Sequence, residues 1–188
     1  MGMLIFLAIA VVVALWVIGA YNGLIALKNR VLNAWKQIDV QLKRRHDLIP
    51  NLIESVKGAM NFERDTLEAV IAARNKAVGA QGVAATAKAE GELSGALGRL
   101  FALTENYPDL KATANIGQLQ EELTSTENKI AFSRQLYNDE ATLYNTKQMQ
   151  FPTNLVSGLA KATPAELWEI EDPAERAVPT VDFGFKKS

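Results

Sequence analysis

The chain has 188 residues, no cysteine, one histidine and a formal net charge of −1. The missing cysteines exclude a disulfide framework and thiol catalysis and agree with a reducing compartment, while a single histidine excludes a histidine-rich metal site. The chain contains no basic domain and no nucleic-acid-binding motif, so nucleic acid is not expected as a partner.

An apolar segment opens the chain, and the first charged side chain is Lys28. About 19 apolar residues at roughly 1.5 Å each span some 28 Å, close to the ~30 Å thickness of bilayer hydrocarbon. A cleaved signal peptide has a basic start and a shorter apolar stretch, and neither is present. The sequence therefore predicts a transmembrane anchor over residues 1–21. Its apolar and aromatic side chains are Leu4, Ile5, Phe6, Leu7, Ile9, Val11, Val12, Val13, Leu15, Trp16, Val17, Ile18 and Tyr21.

Basic side chains follow this anchor, since residues 28–45 hold six basic residues and one acidic residue. Basic residues beside a span stay on the cytoplasmic side. We therefore expect a single-pass protein of the cell (inner) membrane, with its N-terminus outside and residues 22–188 in the cytoplasm. A second interpretation of the same charges is attraction to anionic headgroups. The membrane-proximal basic residues are Lys28, Arg30, Lys36, Lys43, Arg44 and Arg45.

Apolar residues at steps of three and four predict an antiparallel helical bundle over residues 22–148. Its four helices are expected at about 22–45, 48–78, 84–104 and 112–148. Asp47 is expected to cap the second helix, and Pro50 to lie in its first turn. The predicted fold is all-α, with a single transmembrane helix continuing into an elongated four-helix bundle or coiled coil. Residues 149–188 are expected to form a short amphipathic turn and an extended acidic tail.

Three glycines in the third predicted helix, each costing about 1 kcal/mol relative to alanine, suggest a close approach by another backbone. This approach would lie either inside the bundle or between subunits. Polar residues beside the apolar positions, including Asn51 and Gln135, are expected to fix helix register through hydrogen bonds, with a ligand pocket as the alternative. The candidate packing and interface residues are Gly91, Ser94, Gly95, Gly98, Asn128, Arg134, Tyr137, Asn138 and Tyr144.

No catalytic, cofactor-binding or metal-ligating residues are predicted, and no cofactor is expected. The chain lacks a G-x-S-x-G elbow, a phosphate-binding glycine loop and an H-E-x-x-H motif. His46, between Arg45 and Asp47 at the predicted joint, is expected to be structural. Acidic pairs such as Glu121-Glu122 are adjacent on a helix, so their side chains diverge. A hydrolase that uses carboxylates alone stays open as an alternative.

Several strings in this sequence form a recognisable set. They are Tyr21–Leu24 with Ala34–Leu52, the run Leu119–Ile130, the pairs Tyr137-Asn138 and Tyr144-Asn145, Phe151-Pro152, and Glu171-Asp172-Pro173 with Arg176-Ala177 and Pro179. Together these strings resemble the LemA family. The resemblance implies a single-span membrane protein with an antiparallel helical bundle, and it carries over no enzymatic activity.

The preferred functional hypothesis is a non-enzymatic, membrane-anchored helical scaffold in envelope maintenance or stress response. Its expected partners are the lipid bilayer, further copies of itself and other membrane proteins. One alternative is an adaptor or regulator of a membrane protease or quality-control complex that binds clients through its acidic tail. A further hypothesis is that residues 151–159 fold back onto the membrane surface, because a fourth antiparallel helix returns the chain toward the bilayer.

Overall fold

The structure, a computed structural model, describes residues 1–57, 63–107 and 114–169. Within these ranges the chain is helical apart from short connections and an extended C-terminal segment. This confirms the predicted all-α fold with a long apolar N-terminal helix and packed helices. The helices are α1 Gly2–Lys57, α2 Arg64–Gly79, α3 Val83–Thr104, α4 Ala114–Met149 and α5 Asn154–Ser157.

The two long helices, α1 and α4, form an antiparallel pair with a seven-residue repeat. Residues buried at this spacing in α1 are Leu24, Val31, Ile38, Arg45 and Leu52, and those in α4 are Ile116, Leu123, Ile130, Tyr137 and Tyr144. The N-terminal part of the α1 series packs with the C-terminal part of the α4 series, and the reverse holds at the other end. A heptad of this kind keeps one face of each helix against its partner, as in a coiled coil.

The shorter helices α2 and α3 form a hairpin that covers one half of the α1–α4 pair. Their apolar residues join Ile49–Val56 of α1 and Ile116 of α4 in one cluster, which we name the distal cluster. The hairpin turns at Gly82, whose φ of 85° lies in the left-handed region that glycine adopts without steric cost. The helices α1 to α4 therefore alternate in direction along the bundle.

A second cluster, the proximal cluster, lies nearer the apolar N-terminal segment. It combines Leu24–Leu42 of α1 and Ile130–Tyr144 of α4 with Ala160 and Trp168 from the chain that follows α4. The α2–α3 hairpin reaches this cluster only with Val83 and Ala87, and the C-terminal segment supplies further cover. Residues 162–169, which we name the C-terminal strap, are extended along α4, and the rest of the predicted acidic tail lies outside the described residues.

The predicted joint between helices at residues 46–47 is wrong, because α1 continues through Pro50 to Lys57. Proline lacks the N–H that would bond to the carbonyl of His46 one turn earlier. Arg74 Nε of α2 donates to that carbonyl at 2.7 Å instead. Asp47 is not a cap: it accepts a hydrogen bond from Lys43 Nζ at 2.9 Å, the main cause of its lowered pKa.

Candidate functional site

The N-terminal part of α1 is apolar and uncovered by the rest of the described chain. No residue before Leu24 is buried, and Phe6 is 72% exposed. This helix is long and apolar enough to cross a membrane. All the predicted anchor side chains lie on it, so a membrane-spanning length of helix leads without interruption into the packed bundle.

The continuous course of α1 corrects the description of the basic residues as one membrane-proximal group. At about 1.5 Å per residue, positions 43–45 lie roughly 33–36 Å beyond Tyr21 along the helix, several times the Debye length of about 8 Å. Lys28 and Arg30 remain close to the apolar segment. Arg45 is also not a surface residue, since only 4% of its side chain is exposed.

Arg45 lies at the centre of an ionic network that joins three helices. Arg45 and Glu90 are buried, whereas 40% of the Glu127 side chain is exposed. Its Nη1 lies 3.1 Å from Glu90 Oε2 of α3 and 3.1 Å from Glu127 Oε2 of α4. Its Nη2 donates to Ser94 Oγ of α3 at 2.8 Å. The other oxygen of Glu90, Oε1, lies 2.6 Å from His46 Nε2. Every donor–acceptor pair here involves a charged group, and hydrogen bonds of this kind are stronger than those between neutral groups.

This network forms a polar layer between the proximal cluster, which ends at Leu42 on α1, and the distal cluster, which begins at Ile49. A buried ion pair adds little net stability over apolar packing, but removing one partner leaves an uncompensated charge at a cost of about 3–5 kcal/mol. We therefore expect the layer to favour this register of the helices over shifted ones, in which Arg45 and Glu90 would be buried without each other. Within the described ranges, no cluster of three histidine, aspartate or glutamate side chains is arranged to hold a metal ion.

Two asparagines of α4 hold the C-terminal strap by pairing with its backbone. Asn138 Nδ2 donates to the carbonyl of Trp168 at 3.0 Å, and Asn138 Oδ1 accepts from the Trp168 N–H at 2.8 Å. Asn145 makes the same two bonds with Ala165, both at 2.8 Å. Seven helical residues rise about 10.5 Å, and three extended residues span about 10 Å, so the two spacings match.

Aromatic side chains close the proximal cluster beneath this strap. The Trp35 ring lies 5.5 Å from that of Tyr137 and 6.0 Å from that of Trp168, and the Arg134 guanidinium lies 5.7 Å from the Trp168 ring. Tyr137 Oη donates to the Glu166 carbonyl at 2.7 Å. Burial, with a smaller contribution from Glu166, raises the pKa of Tyr137.

Tyr144 occupies the next heptad position of α4 after Tyr137. It is 2% exposed, yet its hydroxyl finds no hydrogen-bond partner in the described part of the chain. Burial alone raises the pKa of this phenol. The two tyrosines therefore share a helical position but differ in whether their hydroxyl is satisfied.

The glycines of α3 point away from the bundle, which rules out a close backbone approach inside the described chain. Gly91, Gly95 and Gly98 are exposed, and a Cβ built on any of them would meet no heavy atom within 4 Å. We name these three residues the glycine face. Ser94, between them in sequence, instead turns toward Arg45.

Three polar residues predicted to lie within or beside the apolar faces are exposed, because they fall between heptad positions: Asn51, Asn128 and Gln135. Asn128 lines an open groove of about 650 Å³ together with Gln41, Ser125 and Phe132. Of the polar residues predicted to fix register, Asn138 and Arg134 contact the C-terminal strap rather than a neighbouring helix.

The sequence matches the LemA family over residues 34–183. It is also 32% identical over 142 residues to Protein LemA of Metamycoplasma hominis, an alignment that covers 74% of this chain and 64% of that protein. The chain belongs to the LemA family. It is 33% identical over 86 residues to the magnetosome proteins MamQ 1 and MamQ 2 of Paramagnetospirillum magneticum, covering 46% of this chain and 31% of each relative. The chain thus spans less than two thirds of the length of these relatives.

LemA membership confirms the resemblance seen in the sequence and identifies a membrane-associated protein. The strings that carry the resemblance include residues that hold the antiparallel pair of α1 and α4 together. Trp35 closes the proximal cluster, Arg45 and His46 join the polar layer, and Asn138 and Asn145 bind the strap.

Sequence reasoning missed several partners of these LemA residues, namely Glu90, Glu127 and Trp168. A signal for Arg45 was present, because it continues the seven-residue series Val31, Ile38 and Leu52. A charged residue in such a series predicts an ionic partner on a facing helix. Nothing in the sequence specifies which of the many glutamates supplies it.

Proposed function

We propose that this LemA-family protein is a non-enzymatic scaffold, anchored in the cell (inner) membrane by one span. Its N-terminus lies outside and its bundle in the cytoplasm. It assembles with itself or with other membrane proteins in envelope maintenance or stress response. The observation that carries the proposal is the continuity of α1, in which an uncovered apolar segment and the core of the bundle belong to one helix.

This continuity gives the anchor a mechanical role. From residue 22 to Lys57, α1 extends for roughly 54 Å at about 1.5 Å per residue. It is paired with α4 over most of this length, and the ion pairs of Arg45 join it to α3 and α4. We therefore expect little bending between the membrane and the bundle. A rod of this kind projects its side surfaces at a fixed distance from the bilayer, which suits an assembling or organising protein.

Outward-facing surfaces support self-assembly. Val40 of α1 is a large apolar side chain that is 64% exposed. The glycine face adds a smooth strip on α3 against which a second backbone fits closely, because nothing in the described chain occupies the space beside it. Because glycine has no side chain, it permits the close approach of another backbone.

The test is the molar mass of the full-length chain in detergent, measured by size exclusion with multi-angle light scattering after subtraction of the detergent. We expect a defined multiple of the 20.6 kDa chain mass. Gly95→Leu is expected to lower this mass without unfolding the bundle, since its Cβ meets open space. Gly117→Leu on α4, which also meets open space, is the matched control. A strict monomer without a co-purifying partner would contradict the scaffold.

A further inference from the structure

Three large apolar side chains protrude from the chain around α5. Phe151, Leu155 and Leu159 are 80%, 67% and 70% exposed, and they lie four residues apart in α5 and the turns on either side of it. The opposite side of the same turns, formed by Val156 and Ala160, is buried. We name Phe151, Leu155 and Leu159 the α5 apolar face. Apolar side chains exposed together in this way mark a surface that contacts a partner or a membrane.

The position of α5 in the fold points to the membrane. Helix α4 runs back toward the apolar segment of α1, and α5 packs against both of these helices. The contact between the Trp35 and Tyr137 rings sets the antiparallel register, so Leu24, eleven residues before Trp35, is level with Gln148, eleven residues after Tyr137 and three before Phe151. Leu24 follows Tyr21 by three residues, or about 4.5 Å of helix. The α5 apolar face therefore lies beside the point where α1 leaves its apolar segment.

The charges at this end of the molecule have one sign. Residues 1–38 and 141–165, which form this end, contain no aspartate or glutamate. They contain five basic residues: Lys28, Arg30, Lys36, Lys147 and Lys161. Basic residues near an apolar face are attracted to anionic headgroups while the apolar side chains enter the acyl boundary.

From this position and charge, we infer that Phe151, Leu155 and Leu159 insert into the interfacial region of the bilayer that α1 crosses, with Lys147 and Lys161 among the headgroups. The inference rests on the proposed membrane anchoring. It adds a second point of attachment, and two points fix the tilt and rotation of the rod in a way that a single helix does not. The bilayer is favoured over a second copy because the apolar face continues the surface of the anchor.

Spin labelling tests this directly, since the chain has no native cysteine. Phe151→Cys, Leu155→Cys and Leu159→Cys each carry a nitroxide on the full-length chain in vesicles of phosphatidylethanolamine and phosphatidylglycerol. Phe132→Cys is the matched control. Phe132 is 70% exposed and lies about 26 Å along α4 from the C-terminal end of that helix, away from the α5 apolar face. Ile9→Cys reports on the anchor itself. The measurement is accessibility of each label to oxygen, which enters lipid, and to a water-soluble nickel chelate.

We expect the labels on the α5 apolar face to show severalfold higher oxygen-to-nickel accessibility ratios than the label at position 132. We also expect Lys147→Glu with Lys161→Glu to move the label at position 151 toward water. Nickel accessibility equal to that at position 132 overturns the inference, as does protection from both reagents, which indicates a protein partner. A label at position 9 that is itself exposed to nickel contradicts the proposed anchoring instead, so the two failures are distinguishable.

Discussion

Arg74 donates a hydrogen bond from Nε to the backbone carbonyl of His46 at 2.7 Å. This carbonyl is the one that Pro50 leaves without a helical donor, since Pro50 lies four residues later in α1 and has no N–H. A side chain of α2 thus completes the hydrogen bonding of α1 and ties the two helices together. The proline creates a docking point for α2 within a helix that continues past it.

A double-mutant cycle tests this relationship. Arg74→Met is expected to lower the free energy of unfolding by about 1.5 kcal/mol, because the bond involves a charged donor. In a Pro50→Ala background the alanine N–H serves the carbonyl, so the same change should cost less than half as much. Chemical denaturation in detergent micelles, followed by far-ultraviolet circular dichroism, measures the free energy of unfolding in both backgrounds. Equal costs in the two backgrounds would show that Arg74 acts independently of Pro50.

The buried pair of Arg45 and Glu90 gives a second prediction. Arg45→Met is expected to destabilise the bundle by about 3–5 kcal/mol, because Glu90 then stays buried beside His46 without its main counter-charge. Combining Arg45→Met with Glu90→Met should recover part of that loss. The midpoint and slope of denaturant unfolding measure each variant.

Lys43 supplies the matched control for Arg45. It also forms an ion pair, with Asp47, but both side chains are largely exposed to solvent. Water already screens such a pair, so Lys43→Met should leave the denaturation midpoint nearly unchanged. If the two replacements had similar effects, the polar layer would not be the register-fixing element that we describe.

The heptad-related tyrosines should respond differently to loss of the hydroxyl. Tyr137→Phe removes the hydrogen bond to the Glu166 carbonyl and should cost about 1 kcal/mol. Tyr144→Phe removes a buried hydroxyl without a partner in the described chain, so stability should stay the same or rise. The measurement is the melting temperature of each variant in the same detergent and buffer, compared with that of the unchanged chain. An equal loss for the two would mean that Tyr144 has a partner in the folded protein.

The asparagine pairs predict how the C-terminal strap detaches. Asn138→Ala removes both bonds to Trp168, so the Trp168 amide loses its acceptor. If the strap then opens as a unit, the Ala165 amide, which is bonded to Asn145, should exchange with deuterium roughly tenfold faster, as expected for a local loss of about 1.4 kcal/mol. Asn128→Ala, an exposed change on the same helix, is the control and should leave exchange unaltered. Exchange of the strap that is insensitive to Asn138 would show that apolar packing alone holds it.

The sequence predicted the helical class of the fold from periodicity, because apolar residues at heptad spacing require a helix and a partner for it. It misplaced the first turn, since Pro50 is a helix-breaking signal when the chain is considered locally. The compensating donor, Arg74, is 24 residues away in sequence. A contact of this range depends on the packed structure and leaves no local pattern.

The same limit applies to the candidate site. Arg45 was counted with the membrane-proximal basic residues, because charge alone suggested a position beside the membrane, whereas its heptad position indicated burial. Asn138 and Asn145 pair with the strap because seven residues of helix rise about as far as three residues of extended chain span. The sequence showed the seven-residue spacing of the two asparagines but not the extended segment that matches it. The glycine spacing was visible, but only the structure shows that the glycine face points outward.

The most direct test of the account is the topology of the full-length chain in intact cells. Gly2→Cys and Phe132→Cys, in an otherwise cysteine-free chain, are each exposed to a membrane-impermeant maleimide after removal of any outer barrier. The account predicts that Gly2→Cys is labelled at once, and that Phe132→Cys is labelled only after the membrane is permeabilised. Labelling of Phe132→Cys in intact cells, or recovery of the mature chain in the soluble fraction, would contradict it.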